Sequence, residues 1–193
     1  MTSPFDEDFP SVAAILLGGH PPDEIAARVD QAFLARRYKR APGPAPRGYP
    51  LAPGEWVGAL VTPLPGEPLV AVITSDMGLF FEHARWVSAA FEDELVIAWK
   101  RLRGDAAAVA KFLVDGTPLW KDGKDPDHEV DWHVPAKPSV EARLPHRGAL
   151  PETAAGASAV LAASGVLRPF PRDLVCGAQE RVLCWIERSS SLA

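Results

Sequence analysis

Two apolar periods alternate along this chain, one of about 3.6 residues and one of continuous β-rich runs, and together they predict helices laid on a sheet. The segment 11–19, Ser-Val-Ala-Ala-Ile-Leu-Leu-Gly-Gly, is apolar throughout and ends on two glycines. At that length it fits a short buried strand or a little more than one helical turn. Pro21-Pro22-Asp23-Glu24 then opens a helix, with prolines where the first turn tolerates them and acids where the helix dipole favours them. Ile25, Val29, Ala32 and Phe33 recur on one face, which predicts a helix over about 22–38.

The central block carries the strongest strand signals. Trp56 to Val61 and Leu69 to Ile73 are β-rich runs joined by Pro63-Leu64-Pro65-Gly66-Glu67-Pro68, the composition of a hairpin-type connection. Phe80, Ala84, Val87 and Phe91 return to helical spacing, so an amphipathic helix is expected over about 78–92 with these side chains toward the sheet. Leu95 to Trp99 reads as another strand. Residues 109–114 lead through Asp115-Gly116 into Pro118-Leu119-Trp120, a further hairpin signal, although Ala106, Ala107 and Ala108 leave a helix open over 105–114. An alanine-rich helix is expected at about 152–164, stopped by Gly165. The closing run Arg181 to Glu187 fits a last strand or the end of a helix from Arg172.

Proline interrupts this pattern twice. Residues 41–54 hold five prolines and three glycines, an extended connector that excludes helix and central strand. Residues 121–151 are polar and proline-punctuated, an irregular excursion. Several strand runs are apolar on both faces, which calls for a sheet covered on at least part of each side. The expected fold is α+β: a single domain over 1–193, with an antiparallel or mixed sheet of about five strands and helices packed on it.

Composition narrows the class. The chain has 193 residues, 47% hydrophobic and 23% charged, which is the profile of a globular domain and not of a disordered one. No run of eighteen apolar residues is present, so no membrane span is expected. The acidic start Asp6-Glu7-Asp8 is unlike a secretory signal, and the two cysteines, Cys176 and Cys184, have the apolar neighbours of reduced core residues. The expected location is the cytoplasm.

Charge is unevenly spread. The net value is −5, yet residues 28–47 alone sum to +5, with Arg36-Arg37-Tyr38-Lys39-Arg40 as their centre. Such a cluster resembles a nucleic-acid contact, but basic residues at a helix end are explained by the helix dipole, and the acidic remainder argues against a polyanionic partner.

Candidate chemistry is sparse. Asp122, Asp125, Asp127, His128, Glu129, Asp131 and His133 crowd one stretch, as a metal site would. The EF-hand pattern fails at Gly123, and His128 and His133 are five apart, which separates their rings on a helix by about 140°. Ser158 lacks the second glycine of an esterase elbow. Gly18-Gly19-His20 before a helix is a weak anion-cradle signal. Asp76, Glu82 and His83 offer acid and base groups, but adjacent residues on a helix point apart.

Trp120 and Trp132 flank the acidic stretch, and tryptophans beside charges are the composition of a protein-binding surface. The expected function is therefore a non-catalytic protein-binding module, for example a toxin-neutralising, immunity-type protein. Its partner-binding residues would be Trp120, Asp125, Asp127, Glu129, Asp131 and Trp132, facing another protein with a basic surface. No cofactor, metal or membrane partner is implied. The alternative is a metal-dependent hydrolase using 122–133.

Overall fold

The computed structural model describes residues 11–41, 56–75, 77–92, 94–102, 108–119, 154–165 and 179–187. Within them the chain runs β1 (Val12–Gly18), α1 (Pro22–Leu34), β2 (Tyr38–Arg40), β3 (Trp56–Pro63), β4 (Leu69–Thr74), α2 (Phe80–Ala89), β5 (Val96–Arg101), β6 (Val109–Val114), β7 (Thr117–Leu119), α3 (Ala154–Ser164) and β8 (Arg181–Glu187). The strands form one sheet in the order β2-β8-β3-β4-β1-β5-β6-β7. Every neighbouring pair is antiparallel. The α+β antiparallel expectation stands, whereas a sheet of about five strands is corrected to eight.

The extra strands have physical reasons. The run 11–19 resolves as the sheet's interior strand β1, paired with β4 on one side and β5 on the other. Helix α1 stops at Leu34, not near Tyr38, and Tyr38–Arg40 becomes an edge strand on β8 with Tyr38 opposite Glu187. Both open alternatives, 109–114 and 181–187, resolve as strands. Helix α2 is shorter at both ends than its 78–92 expectation.

The two-sided apolar strands are covered on both faces. Ala13, Ile15 and Leu17 of β1 pack with Ile25, Val29 and Phe33 of α1 and with Phe80, Ala84, Val87 and Phe91 around α2. Val12, Ala14 and Leu16 face the other way, into a core with Trp99 and with Ala157 and Leu161 of α3. A side-chain period of two on the strand and of 3.6 on the helices places each set on its own side. Trp99 and Trp185 are fully buried. Ser158 is a structural residue here: its hydroxyl accepts the Trp99 indole N–H at 2.8 Å.

Polar ties join α1, β2, β8 and α2 beneath the first face. Asp30 on α1 accepts the Trp185 indole N–H at 3.0 Å and pairs with Arg40. Trp185 stacks on Phe33, with ring centres 4.1 Å apart and planes 9° from parallel. The Tyr38 hydroxyl and His83 Nε2 are 3.2 Å apart in the same buried layer. A buried Asp is tolerated because charge-assisted hydrogen bonds replace its water.

Candidate functional site: a basic groove beside helix α2

Helix α2 divides its residues between two duties. Phe80, Ala84 and Val87 are buried against the sheet, while Phe81 and Trp86, which pack only partly against that core, line the other flank with Glu82 and Arg85. That flank forms one wall of an open groove of about 580 Å³. Strand β6 contributes Lys111 and Leu113, the β6–β7 turn Gly116, β7 Pro118, and the segment after α1 Arg36.

The turn fixes the distance between helix and hairpin. Asp115 and Gly116 have φ of 50° and 71°, the left-handed pair that a tight two-residue hairpin requires. Gly116 lies so near α2 that a Cβ there would be 3.0 Å from the Arg85 carbonyl oxygen. Arg85 Nε donates to the Gly116 carbonyl at 3.1 Å, and the Gly116 N–H donates to the Ser88 hydroxyl at 3.2 Å. The groove wall is thereby tied to the sheet edge.

Cations and ring faces alternate along the groove. The Lys111 ammonium stands 4.1 Å from the centre of the Phe81 ring, and that of Lys100 on β5 stands 5.6 Å from the same centre. Lys111 lies opposite Ala98, so Lys100 is its diagonal neighbour on the same sheet face. Arg36 sits over Trp86 at 5.8 Å. Each contact has cation–π geometry. Burial, then the neighbouring charges of Lys100 and Arg85, push the Lys111 ammonium below the usual lysine range. Among the described residues the lining carries Arg36, Arg85 and Lys111 against Glu82, a positive set in a chain whose net charge is −5.

The groove and the sequence-derived site do not coincide. Trp120, Asp125, Asp127, Glu129, Asp131 and Trp132, with His128 and His133, lie outside the described residues, as do Asp76 and Cys176. Among the described residues, no three His, Cys, Asp or Glu side chains are grouped to hold a metal. Glu82 and His83 diverge as their adjacency requires, Glu82 to the groove and His83 into the core. His20, after the paired glycines, has Nδ1 3.2 Å from Glu24 and its ring against Phe91. Cys184 is a half-buried free thiol, held above its ordinary pKa by burial.

The basic run 36–40 is divided among several tasks. Arg36 reaches the groove, Arg37 pairs with Glu187 at 3.0 Å, Tyr38 is buried, and Arg40 pairs with Asp30. Sequence reasoning missed Arg85 and Lys111. The available signal was Lys111 itself, a charge placed between Val109 and Leu113 on the inward side of a strand.

Compared with protein-family models, curated proteins and solved structures, the chain matches none.

Proposed function

We propose that the protein is a non-catalytic cytoplasmic module that binds another protein by holding an acidic segment of it in the α2–β6 groove. The observation that supports this most is the local inversion of charge: among the described residues, three cations from three parts of the chain share one concavity on a net-negative molecule. Gathering like charges costs stability, and an anionic ligand offsets that cost. The half-buried faces of Phe81 and Trp86 add the rigid aromatic area that concentrates affinity at protein interfaces. Protein is favoured over nucleic acid because a short acidic segment brings few charges against the molecule's overall negative charge, whereas a nucleic acid brings one per nucleotide along its whole length.

The finer reading is a toxin-neutralising, immunity-type role. It draws on the sequence alone: a small acidic chain in which Trp120, Asp125, Asp127, Glu129, Asp131 and Trp132 make a stretch whose composition suits a basic surface. One partner presenting an acidic segment to the groove and a basic surface to this stretch would engage both.

The test is fluorescence anisotropy with labelled decaglutamate. Saturable binding is expected that weakens as salt is raised. Arg85→Glu and Lys111→Glu should each weaken it about tenfold, which corresponds to roughly 1.4 kcal/mol. Failure of decaglutamate to bind would overturn the proposal, and equal affinity for a thymidine decamer would overturn the choice of protein over nucleic acid.

A further inference from the structure

Lys111, from the groove lining, and Lys100, beside it on the adjacent strand, approach one ring, Phe81. Arg85 follows Phe81 by four residues, one helical turn, and so lies above it on the same flank. These cations therefore arrive from β5, β6 and α2, and each is positioned by its own element. Arg85 is oriented through its Nε bond to the Gly116 carbonyl, and Lys100 through its bond to the Met77 carbonyl at 3.0 Å. Glu82, the acid among the described lining residues, is adjacent in sequence to Phe81.

A single carboxylate neutralises one of these charges. A phosphate monoester brings about −1.5 to −2 at neutral pH, together with three acceptor oxygens that separate donors can share. Guanidinium and ammonium groups side by side are the usual means of holding it. Leu113 and Pro118, beside the cations in the same lining, supply apolar surface for a residue flanking the phosphate.

We infer that the acidic segment held in the groove carries a phosphorylated side chain, whose phosphate sits between Arg85 and Lys111 at the edge of the Phe81 ring, with Lys100 adding to the field. This rests on the reading of the groove as a site for an acidic protein segment, and names the chemistry that the site selects. The lowered proton affinity of Lys111 is in keeping with it, because a dianion would relieve the crowding that Lys100 and Arg85 impose.

The experiment uses the full chain and three labelled heptapeptides that share one leucine and two aspartates and differ at a single position: phosphoserine, serine or glutamate. The phosphoserine peptide is expected to bind at least about tenfold more tightly than the serine peptide, with glutamate between them. Lys111→Gln should erase that preference, whereas Lys111→Arg, which keeps the charge, should retain it. A matching melting temperature for the two variants separates loss of the site from loss of the fold. If all three peptides bind alike while decaglutamate still binds, the phosphate inference falls and the acidic-segment reading stands. If neither the heptapeptides nor decaglutamate bind, both fall.

Discussion

Gly116 meets the backbone of Arg85 at a separation that leaves no room for a side chain. A methyl group there would stand 3.0 Å from the Arg85 carbonyl oxygen and 3.3 Å from Ala89 Cβ, on a residue whose φ is +71°. Backbone atoms on a packed helix have little freedom to withdraw, and the left-handed conformation adds its own cost. Gly116→Ala is expected to lower unfolding stability by about 1–3 kcal/mol. It should also weaken ligand binding, because the hairpin must move away from α2. Urea denaturation with binding measured on the same sample checks both.

Asp30 joins the first face of the core to the sheet edge. Removing its carboxylate in Asp30→Ala leaves the buried Trp185 indole N–H without its acceptor at 3.0 Å. A loss of about 1.5–3 kcal/mol is expected, the range for a hydrogen bond to a charged group. Asp30→Asn, which retains an acceptor oxygen, should recover part of it. Arg40→Ala should cost less, because Asp30 still accepts the Trp185 N–H, but it remains destabilising, since the Asp30 side chain that loses its partner is only 9% exposed. Chemical denaturation of the three variants gives the order.

Lys111 gives the fold a pH dependence of definite sign. Its proton affinity is lowered in the native state by burial first and then by Lys100 and Arg85. The unfolded chain therefore holds the Lys111 proton more tightly than the folded one. Native stability carries this penalty in full below the lowered native pKa and sheds it as pH rises from there to the ordinary lysine value of 10.5. Measured against Lys111→Met, the wild-type protein should gain relative stability over that window and show a constant difference at neutral pH and below. Paired thermal melts between neutral and alkaline pH test this, because titrations common to both proteins cancel.

The fold was more legible in the sequence than the site. Helices α1, α2 and α3 follow from the spacing of Ile25, Val29 and Phe33, from that of Phe80, Ala84 and Val87, and from the alanines before Gly165. The hairpins at 63–68 and at Asp115-Gly116 follow from their turn residues. Tyr38–Arg40 was hidden because three residues show no period of their own; the partner β8 and the buried Tyr38–His83 contact decide it. β1 was ambiguous because both its faces are buried, which erases alternation. The groove was hidden for a different reason. Arg36, Arg85 and Lys111 are far apart in the chain, and the meeting of Arg85 with Lys111 depends on the close approach of the β6–β7 turn at Gly116 to α2. Acidic residues contiguous in sequence, such as Asp125 to Asp131, are conspicuous without any such knowledge.

The measurement that bears most directly on the groove is amide chemical-shift mapping of the isotope-labelled full chain as decaglutamate is added. The expected result is a set of shifts confined to Arg36, to Phe81–Trp86 and to Lys111–Thr117, saturating together and reduced in Lys111→Glu. Saturable shifts centred elsewhere, or none at all, would contradict the assignment of this groove as the binding site.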